Sequence, residues 1–148
     1  MTVPWTVTFD CHDAAAVATF WKAALGYVDA PPPQGWSTWE EWLRHFQVPE
    51  EEWEDGAALC DPDGVLPQIG FLKVPEGKTA KNRLHLDVQV GGGRHLPHDE
   101  RWARIVAKVE ELRAVGGTVL YEVPSEDDPA RPDHVVMADP EGNELCVV

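Results

Sequence analysis

The sequence predicts an α+β protein built from two related strand-helix-strands units. Three observations carry this reading. Two segments, Val3 to Asp10 and Arg83 to Val90, alternate apolar and polar residues in the period of a half-buried strand. Each is followed by apolar residues at helical spacing that stop at a glycine. Each unit then closes in a hairpin turned by Asp-Pro-acid-Gly, at Asp61-Pro62-Asp63-Gly64 and again at Asp139-Pro140-Glu141-Gly142. The same element order twice, with the same turn, points to an internal duplication.

Along the first unit, Val3, Trp5, Val7 and Phe9 fall on one strand face and Thr6, Thr8 and Asp10 on the other. Asp13 is placed as the N-cap of a helix to about Leu25, with Val17, Phe20, Trp21, Ala24 and Leu25 as its apolar stripe. Gly26 stands where a left-handed C-terminal cap is wanted. Three prolines at Pro31 to Pro33 break regular structure, and a tryptophan- and glutamate-rich insertion follows, at about 31–55. Residues 37–46 fit a short amphipathic helix presenting Trp39, Trp42, Leu43 and Phe46, so the insertion reads as a flap packed by its aromatic side. Ala57 to Cys60 and Leu66 to Val74 flank the first turn as a hairpin.

In the second unit, Leu84, Leu86, Val88 and Val90 alternate with Arg83, His85, Asp87 and Gln89. A glycine-rich loop leads to a helix over about Asp99 to Val115, striped by Trp102, Ile105, Val106, Val109 and Leu112 and ended by Gly116-Gly117. Val119 to Val123 and a closing hairpin of His134 to Ala138 with Leu145 to Val148 complete it. Module one therefore spans about 1–75 and module two about 82–148, within a single domain covering 1–148.

Composition narrows the partners. Twenty-six acids against 12 bases give a formal charge of -14, a field that repels phosphate backbones and anionic lipid, so neither nucleic acid nor membrane is an expected partner. The three cysteines, Cys11, Cys60 and Cys146, lie far apart without a Cys-x-x-Cys pair, which argues against a disulfide framework or a cysteine-rich zinc site. No apolar run approaches membrane-spanning length, and a cytoplasmic location is the expectation. Gly91-Gly92-Gly93 lacks nucleotide-loop spacing.

Three segments together resemble the vicinal-oxygen-chelate superfamily (glyoxalase, bleomycin resistance and dioxygenase proteins), and within it the glyoxalase-like domains. They are the run from Thr6 through Asp13 to Phe20-Trp21 and Leu25-Gly26, the segment Lys81-Asn82-Arg83-Leu84-His85-Leu86-Asp87-Val88, and Ala138-Asp139-Pro140-Glu141-Gly142-Asn143-Glu144. The resemblance spans nearly all of the chain outside the insertion. It implies two βαβββ modules whose mixed sheet curls into a cup, helices on its outer face and the ligand or metal inside. It also implies a homodimer.

Metal-dependent members of that superfamily place His or Glu early in each module's first strand and in each module's last strand. Transferred position by position, His85 matches one such place. Thr6 stands at the equivalent place in module one, the strand Leu66 to Val74 holds no carboxylate or histidine, and Cys146 occupies the position of the final acid. The reading is therefore metal-free, with no cofactor. The alternative is a rearranged divalent-metal site using His85 with Asp10, Asp87, Glu144 or Cys146. The His95-x-x-His98 pair is read as a solvated loop pair.

The polar strand faces offer Thr6, Thr8, Asp10, Arg83, His85, Asp87, Glu144 and Cys146 as ligand-binding residues, with Trp39 and Trp42 of the flap across from them. His85 and Asp87 suit pocket anchors, a base with its orienter, or a structural cluster with Arg83. Cys146 suits a pocket wall or, given an activating neighbour, a nucleophile. Trp5, Trp21 and Trp102 sit at core parity, while Trp36, Trp39, Trp42 and Trp53 either cover a planar ligand or pack the flap itself. The functional expectation is a glyoxalase-like small-molecule-binding protein. The alternatives are a lyase, isomerase or dioxygenase with a rearranged metal site, metal-free acid–base catalysis by His85, and a structural partner domain.

Overall fold

The computed structural model describes all 148 residues. Eight strands form two four-stranded open sheets of identical topology. The first is ordered β1(Val7–Cys11), β4(Ile69–Lys73), β3(Gly56–Cys60), β2(Val28–Asp29). The second is ordered β5(Leu86–Val88), β8(Glu144–Val147), β7(Pro132–Ala138), β6(Thr118–Pro124). In each, the first strand of the module runs parallel to the last, and the other pairs are antiparallel. With α1(Ala14–Leu25) and α3(His98–Ala114) as crossovers, both modules are βαβββ, and the fold is α+β as expected. Backbone contacts divide the chain into two compact units, 1–22 with 26–77, and 23–25 with 78–148.

Local chemistry explains the helix ends. Asp13 accepts from the Ala16 N–H at 2.9 Å, and Gly26 takes φ 70°, so its N–H can reach the Lys22 carbonyl. Gly116, at φ 94°, closes α3 in the same left-handed way. In the first unit Trp21 and Phe20 are fully buried. Trp21 lies 4.8 Å from Phe9, and Phe9 stacks on Phe71 at 5.6 Å. In the second unit Ile105 and Leu112 of α3 are fully buried, as are Met137, Leu145 and Val147 of the sheet.

Several expectations are corrected. Val3 and Trp5 do not reach a core. β1 begins at Val7, where pairing with β4 begins at Ile69, and the residues before it are exposed, Trp5 at 65%. Thr6 is likewise exposed, just ahead of the strand. The second alternating segment shortens to Leu86–Val88 because only Leu145, Cys146 and Val147 pair with it, which leaves Leu84 exposed. Leu66 precedes β4 and is exposed, and Val106 is an exposed member of the α3 stripe. His98 is not a solvated loop residue: it opens α3, and its Nε2 donates to the Pro132 carbonyl at 2.7 Å.

The insertion folds as a flap. Thr38 caps α2(Trp39–His45) by accepting from the Glu41 N–H at 3.1 Å, and Glu41 accepts in turn from the Ser37 N–H at 3.0 Å. A 3-10 turn at Glu50–Glu52 then leads into β3.

Candidate functional site

The first unit contains a cleft of about 570 Å³ between its sheet and the flap. Its floor comes from one sheet face, where register places Thr8 beside Gly70, Gly70 beside Ala58, and Gly56 beside Leu72. Small residues make the space. A Cβ at Gly70 would stand 3.2 Å from Thr8 Oγ1, so the glycine also lets the two strands present a flat floor. The walls include Trp39, Trp42, Leu43 and Trp53.

The flap rings are fixed by hydrogen bonds and by each other. Trp39 Nε1 donates to the Ala30 carbonyl at 2.9 Å, and Trp53 Nε1 donates to the Val48 carbonyl at 3.0 Å. Trp39 and Trp42 meet edge to face, 5.7 Å between centroids and 82° between planes. The Arg44 guanidinium lies 5.0 Å from the Trp53 ring centroid. Thus Thr8, Trp39 and Trp42 are brought to one cavity. Asp10 shares the Thr8 strand face without lining the cleft. Trp53, Gly56, Ala58 and Gly70 line it as well, and only Trp53 carried a signal in the sequence.

In the second unit, His85, Asp87 and Cys146 converge, with their potential donor atoms all within 4.8 Å of one another. Asp87 and Cys146 are register partners across β5 and β8, and His85 Nε2 lies 3.3 Å from Asp87 Oδ1. Burial, then the charge and hydrogen bond of Asp87, then Glu144 push the Cys146 thiol up to about 11, with Lys81 opposing. That thiol is a poor nucleophile at neutral pH. Glu144 pairs with Lys81, whose ammonium is raised by that partner. Arg83 is exposed.

This donor set differs from the four-ligand pattern that the superfamily resemblance implies for a metal-dependent member. His85 alone is a ligand type at a matching place. Asp87 and Cys146 are added donors, and Asp87 is already engaged by both His85 and the protonated thiol. β4, with the sequence Ile-Gly-Phe-Leu-Lys, offers neither carboxylate nor histidine.

Paired βαβββ modules with parallel first and last strands define the vicinal-oxygen-chelate type of fold. A profile of the glyoxalase-like domain matches residues 6–148, and the chain belongs to that family. A search of curated proteins returns no match. Solved structures share the fold at low identity. Fosfomycin resistance protein FosX from Mesorhizobium loti aligns with a TM-score of 0.60 at 9% identity, over 99% of this chain and 90% of its own. A glyoxalase/bleomycin resistance protein/dioxygenase family enzyme from Burkholderia phytofirmans gives 0.58 at 14%, over 96% and 94%. A point mutant of FosX from Listeria monocytogenes, in complex with Mn(II) and a dihydroxypropylphosphonic acid, gives 0.60 at 10%, over 99% and 89%.

Proposed function

We propose that this chain is a small-molecule-binding protein that holds its ligand in the tryptophan-walled cleft of its first module, without the family's metal site. The cleft carries the reading. A floor of Gly56, Ala58, Gly70 and Thr8 under Trp39, Trp42 and Trp53 is concave, mostly apolar and sized for a small organic molecule. Trp42 and Thr8 are among its lining residues, and neither the Trp42 Nε1 donor nor the Thr8 hydroxyl has a hydrogen-bond partner inside the chain. They suit a ligand with a polar edge on an apolar body.

The relatives' chemistry transfers poorly. FosX from Listeria is seen with Mn(II) and a phosphonic acid. Here the cleft lining includes Asp29 and Glu52 and no Lys, Arg or His, so a phosphonate would meet repulsion.

Thermal-shift screening of a small-metabolite library against the protein and Ala58→Leu tests the reading. Ala58 shares the cleft face with Gly70, so leucine there fills the floor. Compounds that raise the melting temperature of the parent and not of Ala58→Leu are expected. Trp42→Phe, which keeps the ring and removes the donor, serves as a second variant should leucine unfold the chain. Hits that stabilise all three proteins equally overturn the cleft as the site. Stoichiometric divalent metal lost in His85→Ala overturns the metal-free part.

One observation favours a second reading. Asp87 beside His85 Nε2 is the arrangement of a base and its orienter, leaving Nδ1 as the basic nitrogen. In this reading His85 is the acid–base residue and Asp87 its orienter.

A further inference from the structure

We infer that the cleft selects organic cations, namely alkylated ammonium or cationic aromatic molecules, through an aromatic corner backed by an unpaired carboxylate. The inference rests on the cleft being the ligand site and specifies what it takes. Trp39 and Trp42, perpendicular at 82° with centroids 5.7 Å apart, form two adjoining walls, and Trp53 adds a third aromatic surface. The N–H groups of Trp39 and Trp53 are spent on the Ala30 and Val48 carbonyls, so what these rings offer a ligand is π surface. The negative face of an indole attracts a cation, and most strongly one too weakly hydrated to prefer water.

Charge points the same way. The lining has two ionisable side chains, both carboxylates. Asp29 is paired with Lys22 at 2.6 Å, whereas the Glu52 carboxylate takes part in no hydrogen bond or ion pair, and Lys73, the base that feels its charge, is itself paired with Asp55. An adjoining depression shares Trp39, Leu43 and Trp53 and is edged by Glu40, Glu50, Glu51 and Glu54, again with no base. The chain supplies its own precedent: Arg44 lies 5.0 Å from the centroid of Trp53. A formal charge of -14 adds long-range attraction for cations.

The test compares phenyltrimethylammonium with tert-butylbenzene, the same shape without the charge, by calorimetric titration of the parent, Glu52→Gln and Ala58→Leu. The cation is expected to bind about tenfold more tightly than its neutral isostere, in the range of a partly desolvated cation–π contact. Glu52→Gln should remove about threefold of that preference and leave the isostere unchanged. Added salt should weaken the cation alone. If the isostere binds as well as the cation and Ala58→Leu blocks both, the cation inference is overturned and the cleft stands. If Ala58→Leu leaves both affinities intact, the cleft itself is overturned, with Trp42→Phe as the control for a misfolded leucine variant. Failure of the cation to bind the parent at millimolar concentration also overturns the inference.

Discussion

Asp61 and Asp139, the first residues of the two repeated turns, grip their own backbones in the same way. Asp61 accepts from the N–H groups two and four residues on, Asp63 at 3.1 Å and Val65 at 3.0 Å, and from Leu66 at 2.9 Å. Asp139 accepts from Glu141 and Asn143 N–H, both at 2.9 Å, and from the Asn143 side chain at 2.9 Å. Those bonds, led by that of Leu66, hold the Asp61 carboxyl below its ordinary value. The duplicated motif is thus a duplicated Asx turn, which explains why aspartate opens both turns.

The two turns differ in burial, and that gives a prediction. Asp139 is 3% exposed, so Asp139→Ala strands buried donors and should cost about 2 kcal/mol in urea unfolding. Asp61→Ala, at the more open turn, should cost clearly less.

Cys146 makes stability fall at high pH. Its thiol is held near 11 against an ordinary 9.0, so between those values the unfolded chain loses a proton that the folded chain keeps. Stability from this group is complete below pH 9.0 and declines as pH rises toward 11. Asp87→Asn should lower the thiol's pKa only partway, since burial is the larger cause. Alkylation rate against pH reads the change directly.

Asp133 does the reverse. Burial alone would raise its carboxyl, but hydrogen bonds from His134 and Arg101 and the charges of Arg94 and Arg101 hold it below 3.8. Arg94 is bidentate at 3.0 and 2.9 Å, and Arg101 adds a bond at 3.1 Å. This contribution is complete above pH 3.8 and is lost as pH falls through the lowered value. Asp133→Asn should destabilise by about 2 kcal/mol at pH 7 and flatten the acid limb of the stability profile.

The flap should loosen before the sheets do. Trp39→Phe removes the bond to the Ala30 carbonyl and should cost about 1 kcal/mol. Amide exchange should speed up across α2 more than in β3 or β4.

The fold was legible where local signals agreed. Asp13, Gly26 and the two turns mark element ends by backbone chemistry that needs no tertiary partner, and each stands where the sequence puts it. Strand ends were not legible, because pairing partners set them. Val3, Trp5 and Leu84 keep the alternation but outrun β4 and β8. The two-residue strand Val28–Asp29 is too short to show any period. At the site, Trp39, Trp42 and Thr8 were visible by residue type and strand parity. Gly56, Ala58 and Gly70 were not, since a cleft floor is made by side chains that are missing, and nothing in a lone glycine tells a floor from a turn. The convergence of His85, Asp87 and Cys146 followed from parity on each strand, but the register between β5 and β8 was needed to join them.

Native mass spectrometry of the protein as purified from cells tests the central claim most directly. The account predicts a small organic adduct on the parent chain that is absent from Ala58→Leu, with no metal bound to either. An adduct retained in full by a folded Ala58→Leu, or a divalent metal displaced by His85→Ala, would contradict it.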